Sequence, residues 1–369
     1  MNAMGVLFSN IHDDELKDLT QNRTTASVPY GGRYRLIDFI LSNLVNAGIF
    51  NVAIITKTNY HSLMDHLETG KAWDLNRKNG GLSIFPPFAC NSLKSVYRGK
   101  LEALIGIKKF LDNAKEEYIV LSDCNVVCSL DIKDIIDKHI SSGADITVVY
   151  HSSAQICEHD LVLKLDKNEW VYDISIALKE LSAPSNIGLG VYIIKREPLV
   201  KIVEDAYAHG YIDFEREYLQ KNINSIKICG YENKGYSTAI NSISEYYRAN
   251  MDLLKSVVRK ELFYKNGNIY TKVKDTVPAK YGVNANVKNS LIADGTIIEG
   301  NVENSIIFRG VKIAEGACVK NSIIMQATSI EKDAQLDYVI TDKNVIITEG
   351  RILAGVESYP TVISKDSIV

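Results

Sequence analysis

The sequence contains no C-x-x-C pair. Its six cysteines (Cys90, Cys124, Cys128, Cys157, Cys229 and Cys318) are scattered, so neither a disulfide framework nor a four-ligand zinc site has the spacing it needs. They read as small buried hydrophobes of a reducing compartment. Long apolar runs are missing too, since none approaches the roughly 20 residues that span a bilayer. So is an excess of either charge. Forty-two Lys and Arg against 45 Asp and Glu leave a formal net charge of −3, with no basic footprint for nucleic acid or an anionic membrane. The start Met1-Asn2-Ala3-Met4-Gly5 lacks the basic segment and cleavage site of a signal peptide. A cytoplasmic protein with no nucleic-acid partner and no membrane partner is the expectation.

What is present is an ordinary globular composition, 46% hydrophobic and 24% charged over 369 residues, which suggests two domains. The first ~250 residues alternate apolar strand-like runs with helical patterns. Strands are expected at Val6-Leu7-Phe8, Val52 to Ile55, Tyr118 to Leu121, Ile146 to Val149 and Gly190 to Ile194. Helices are expected from Leu36 to Ala47 and from Leu101 to Phe110. Short apolar strands separated by helices predict an α/β domain with a doubly covered, mostly parallel sheet. Ligands of such sheets bind beyond the carboxyl ends of the strands, which points to the segments after Phe8 and after Leu121.

From about Tyr281 the texture changes. One phrase recurs: Val287-Lys288-Asn289-Ser290-Leu291-Ile292, Val302-Glu303-Asn304-Ser305-Ile306-Ile307 and Val319-Lys320-Asn321-Ser322-Ile323-Ile324, with starts 15 and 17 residues apart. Self-similarity at so short a period signals a stacked solenoid. No amphipathic helix can be drawn through it, so a parallel β-helix is expected, with Asn, Asp and Gly turning the corners. An irregular β-sandwich is the competing reading, disfavoured by three copies of the phrase. A β-helix by itself carries no activity.

The runs Asp18-Leu19-Thr20-Gln21-Asn22-Arg23 and Val28-Pro29-Tyr30-Gly31-Gly32-Arg33-Tyr34-Arg35-Leu36-Ile37-Asp38-Phe39 resemble those of ADP-glucose pyrophosphorylase (glucose-1-phosphate adenylyltransferase). So do Tyr60-His61-Ser62-Leu63, Gly70-Lys71-Ala72-Trp73, Tyr97-Arg98-Gly99 and Ala249-Asn250-Met251-Asp252-Leu253-Leu254. The resemblance covers nearly the whole chain. It implies a nucleotidyltransferase, Rossmann-like mixed-sheet domain over 1–255, a linker over 256–280, and a left-handed parallel β-helix over 281–369.

The family's reaction needs a bound ATP, a divalent cation and cationic groups on the phosphates. This sequence departs from the family at those groups. The glycine-rich loop after the first strand is replaced by Ser9-Asn10-Ile11-His12-Asp13-Asp14-Glu15-Leu16. Glu15 stands where the phosphate-binding arginine belongs. A unit charge ~4 Å from a phosphate is worth roughly 1 kcal/mol in water and about 4 at an effective dielectric of about 20, so reversing its sign matters. Thr25 replaces a lysine. Counted without gaps, Cys124 replaces a metal aspartate, although a one-residue shift lets Asp123 serve. Ala239 replaces the second metal aspartate. On the nucleotide side Gly99 and Glu102 match contact positions. On the sugar-phosphate side the corresponding residues are Lys179, Gly190 and Asp213, the last in Asp213-Phe214-Glu215-Arg216-Glu217, which lacks the family's glycine.

The resemblance therefore implies a non-catalytic, regulatory subunit of the GlgD type, with no cofactor of its own and Mg²⁺ in a catalytic partner. That partner is the catalytic ADP-glucose pyrophosphorylase subunit, in a hetero-oligomer expected to be a tetramer. A weakly active adenylyltransferase using Asp123, and a stand-alone sugar-phosphate or nucleotide sensor, are the competing readings. Restoring Glu15→Arg, Thr25→Lys, Cys124→Asp and Ala239→Asp is expected to recover activity. The residues alone leave His12 to Glu15 as a metal site or a solvated loop. They leave Cys124 and Cys128 as redox partners or buried thiols, and Arg33 and Arg35 as ion-pair partners or effector contacts.

Overall fold

The computed structural model describes residues 2–11, 13–87, 97–180 and 182–369; Cys90 and His12 lie outside them. The chain runs β1 (Ala3–Phe8), β2 (Pro29–Tyr30), β3 (Tyr34–Arg35), α1 (Leu36–Asn46), β4 (Asn51–Ile55), α2 (His61–Leu67), β5 (Gly81–Phe85), α3 (Lys100–Gly106), α4 (Lys108–Asn113), β6 (Tyr118–Asp123), β7 (Val126–Cys128), α5 (Ile132–Ser142), β8 (Ile146–Ser153), β9 (Leu161–Leu165), β10 (Val171–Ile176), β11 (Ser185–Lys195), α6 (Arg196–His209), β12 (Ile228–Glu232), β13 (Ser237–Ala239), α7 (Ile243–Asp252) and α8 (Ser256–Tyr264).

All six residues of β1 are buried, as a strand covered on both faces requires. Alternation sends Val6 and Phe8 into the core on one face and Leu7 into the core on the other. β1 pairs in parallel with β4 and β6, while β11 turns the sheet antiparallel beyond β6. The order is β10-β9-β11-β6-β1-β4-β5, with β8 beside β11 and β12 beside β8. This is a mixed Rossmann-like sheet. Phe8 and Asp123 are paired at the carboxyl ends of β1 and β6.

α1 begins where Asp38 accepts a hydrogen bond from the Arg35 backbone N–H at 3.0 Å, satisfying one donor of the first turn. The helix expected over Leu101 to Phe110 is two short ones, α3 and α4, that break at Ile107 (φ −111°, ψ 12°). Gly106, a poor helix former, precedes the break. No helix among the described residues is long and apolar enough to cross a membrane.

The C-terminal region is a three-sided parallel β-helix, each side a five-stranded sheet. Equivalent residues stack in register: Val287 on Val302, Val302 on Val319, Val319 on Leu336 and Leu336 on Leu353. Asn289, Asn304 and Asn321 turn successive corners with φ of 41°, 46° and 44°, a left-handed conformation that asparagine tolerates. Next in the phrase comes a serine that bonds coil to coil. The Ser305 N–H donates to Ser290 Oγ (3.1 Å), that of Ser322 to Ser305 Oγ (3.1 Å), and that of Val339 to Ser322 Oγ (3.0 Å).

The two regions share one core. Leu16, Tyr30 and Phe39 from the first, Tyr246 from α7, and Ile306, Phe308 and Met325 from the β-helix belong to a single buried cluster. The stretch 256–280, expected as a linker, opens with α8, whose Val258 and Leu262 enter that cluster. Their i, i+4 spacing is the reason that it packs.

Candidate functional site

Beyond the ends of β1 and β6 lies a cavity of about 290 Å³. Glu15, Gly99, Asp123, Gly190, Asp213 and Ala239 all line it, together with Arg98, Lys100, Tyr192, Glu215 and Arg216. Six of the residues singled out from the sequence thus converge on one place. Thr25, Cys124, Glu102 and Lys179 do not line it.

Strand alternation sends Asp123 and Cys124 to opposite sides. Asp123 ends β6 and faces the cavity. Cys124 is 2% exposed and packs in the apolar core with Val126 and Cys128, and burial pushes its thiol well above the ordinary range. Cys128 is likewise buried, and burial pushes it up to about 12. Neither is a thiolate near neutral pH.

In the loop after β1, Asp14 is exposed, whereas Asp13 is turned inward. Asp13 Oδ1 accepts from the Thr25 backbone N–H (2.7 Å) and from Thr25 Oγ1 (2.8 Å), and Asp13 Oδ2 accepts from Asn10 Nδ2. Burial raises the Asp13 pKa, and those hydrogen bonds pull against it. The acid therefore spends its acceptors inside the loop, on Asn10 and Thr25.

An ammonium lines the cavity. Lys100 opens α3, is 6% exposed, and places Nζ 2.8 Å from Asp123 Oδ2. The same nitrogen contacts Glu215 Oε1, and Tyr192 OH donates to that oxygen at 2.9 Å. Burial lowers the Lys100 pKa, but Asp123 and then Glu215 more than offset it and hold the group above its ordinary value. The first turn of a helix disfavours a cation, so Lys100 sits there because the two carboxylates hold it. Neither Lys100 nor Glu215 is given a role by the sequence. The available signals were a lysine directly after Gly99 and the glutamate at position 215, where the resemblance implies a glycine.

Close backbone approaches fix the rest. A Cβ on Gly190 (φ +64°) would lie 2.5 Å from Asp123 Oδ2, and one on Gly99 would lie 2.5 Å from the Ile212 carbonyl oxygen. Gly190 thus makes room for Asp123. Asp213 accepts from the Arg216 N–H at 2.8 Å and starts a short π-helix, Phe214–Gln220, that presents Glu215 to Lys100. Glu102 is bound by Arg98, Nη2 to Oε1 at 2.7 Å, and that hydrogen bond holds its carboxyl below the usual range. Lys179 is exposed. Ala239 reaches the cavity because β13 pairs with β7, Ala239 opposite Val126.

A divalent cation such as Mg²⁺ asks for several oxygen ligands in near-octahedral geometry. Asp123 and Glu215 are both engaged by Lys100, and the methyl of Ala239 offers no ligand. Among the described residues no three His, Cys, Asp or Glu side chains come together to hold a metal. The residues do not fit the cation.

A second charged cluster lies where the first domain meets the β-helix. Arg23 pairs with Asp342 at 2.8 Å, both 3% exposed. Burial, then Arg35 and Arg23, push Lys343 down to about 7. Burial also pushes Arg35 down to about 10, Asp38 opposing it and Arg23 adding to it. Arg35 Nη1 donates to Ser62 Oγ at 2.9 Å.

A nucleotidyl transferase family model matches residues 14–255, and a GlmU-like C-terminal hexapeptide model matches residues 274–358, which makes the three-sided solenoid a left-handed β-helix. The chain is 35% identical over 362 residues to the glycogen biosynthesis protein GlgD of Bacillus subtilis (strain 168), spanning 98% of this chain and 95% of that one. It is 37% identical to GlgD of Geobacillus stearothermophilus, spanning 86% of this chain and 82% of that one. It is 32% identical to the glucose-1-phosphate adenylyltransferase of Fervidobacterium nodosum, over 95% of this chain and 85% of that one. The chain belongs to the ADP-glucose pyrophosphorylase family of nucleotidyl transferases.

Proposed function

We propose that this chain acts in glycogen biosynthesis as a catalytically impaired, regulatory subunit of glucose-1-phosphate adenylyltransferase. The reaction it supports joins ATP and glucose-1-phosphate into ADP-glucose and pyrophosphate. A catalytic homologue performs the chemistry and holds the Mg²⁺. One observation carries the reading: Glu15 and Ala239 face the same cavity, so a negative charge stands where a phosphate would sit and a methyl where a metal ligand would. Electrostatic stabilisation supplies most of such catalysis, and here its sign is wrong.

Assembly with the homologue, expected as a heterotetramer, is supported by apolar side chains left exposed at both ends of the β-helix. Val273, Val277 and Val283 are exposed at one end, and Ile352, Val356, Tyr359 and Ile368 at the other. Clustered exposed apolar groups mark interaction surfaces. For regulation, the cationic cluster of Arg23, Arg35, Lys274 and Lys343 suits a phosphorylated effector, because an added anion relieves the mutual repulsion of these groups.

Co-expression with the catalytic homologue tests the reading. The two chains are expected to elute together, and the complex is expected to respond to phosphorylated effectors differently from the homologue alone. Separate elution with unchanged activity would sink it. Pyrophosphate release by the chain alone, abolished by Asp123→Asn, would favour a weakly active enzyme instead.

A further inference from the structure

The cation seat of the site is not simply lost. Lys100 contacts both Glu215 and Asp123 and so joins α3, β6 and the π-helix beside the cavity. A carboxylate buried without a counter-charge is costly, and two facing one another are worse. Either a divalent cation or a fixed ammonium solves that problem.

We propose that the Lys100 ammonium is a tethered replacement for the divalent cation, holding Asp123 and Glu215 together so that this subunit keeps its pocket formed without metal. The inference rests on the reading of the site as catalytically impaired, and it explains how such a site stays folded. Three observations support it. Lys100 is nearly inaccessible yet touches both carboxylates. Tyr192 OH gives Glu215 a further donor at 2.9 Å, so the glutamate is oriented for this pairing. Gly190 has no side chain where one would strike Asp123, which leaves room for that carboxylate beside Lys100.

The consequence is specific: removing the ammonium should open a metal site. Mn²⁺ titrated into the full chain, with free Mn²⁺ read by electron paramagnetic resonance, is the measurement. The wild type is expected to show no Asp123-dependent binding. Lys100→Ala should gain one site, at least about tenfold tighter than any wild-type binding, and Lys100→Ala/Asp123→Asn should lose it. Lys100→Gln, which keeps the length without the charge, serves where the alanine variant does not fold. Variants that fold only with Mn²⁺ present would also support the tether.

Three results would overturn it: wild-type binding that Asp123→Asn removes, a folded Lys100→Ala that gains nothing, or variants that Mn²⁺ cannot rescue. None of these touches the argument from Glu15 and Ala239. Turnover by the wild-type chain, in contrast, would remove the impaired-site reading and leave the titration to be judged by itself.

Discussion

Lys343 shows how a single residue couples the two regions to pH. Its folded value of about 7 lies below the ordinary 10.5. Between those values the unfolded chain binds the proton that the folded chain releases, so stability rises with pH across that window. Below the window the full penalty applies. Melting curves should therefore show a higher Tm at about pH 9 than at about pH 7, and Lys343→Met should flatten the difference. Inorganic phosphate should raise the Tm more at the lower pH, and less in Lys343→Met. The same scale corrects the restoration experiment. Cys124→Asp would bury a carboxylate in an apolar core, at a cost of several kcal/mol or a protonated, useless acid. Lys100 and Asp13 would oppose the rest, the first engaging Asp123 and the second drawing in a new lysine at position 25. Glu15→Arg, Thr25→Lys, Cys124→Asp and Ala239→Asp together should thus yield an inactive chain by pyrophosphate release. Replacing Cys124→Asp with Lys100→Ala and Asp13→Gly is the combination expected to show turnover.

Among the elements, the β-helix was readable because its rules are local. Within each copy of V-x-N-S-[LI]-I the asparagine turns the corner, the serine bonds the next coil and the last residues fill the core. Ser322→Ala leaves the buried Val339 N–H without its 3.0 Å acceptor and should cost about 1–3 kcal/mol in denaturant unfolding. Asn304→Val should cost a comparable ~1–2 kcal/mol through its left-handed backbone, whereas Asn304→Gly should be close to neutral. β1, β6 and α1 were legible for a like reason, their apolar periods being short and strong. Lys100 and Glu215 are 115 residues apart, so no local pattern announces the pair. The break at Ile107 and the packing of α8 also depend on tertiary contacts. That Asp123 lines the cavity while Cys124 enters the core follows from strand alternation, which the short run Ser122-Asp123-Cys124 does not announce.

For the molecule as a whole, the shared core and the Arg23–Asp342 pair tie catalytic-type domain to solenoid. Removing one partner of so buried a pair is strongly destabilising, and Asp342→Ala should cost about 3–5 kcal/mol. Because the junction core is continuous, unfolding should keep a single transition rather than split by domain, as coincident fluorescence and circular dichroism melts would report. The family's scaffold is kept, and the proposed function turns on the charge inside one cavity. The direct measurement is pyrophosphate release from ATP and glucose-1-phosphate, with Mg²⁺, by the purified chain alone. No release above the rate of an Asp123→Asn control is the expected result, and Asp123-dependent turnover by the wild-type chain would contradict the account.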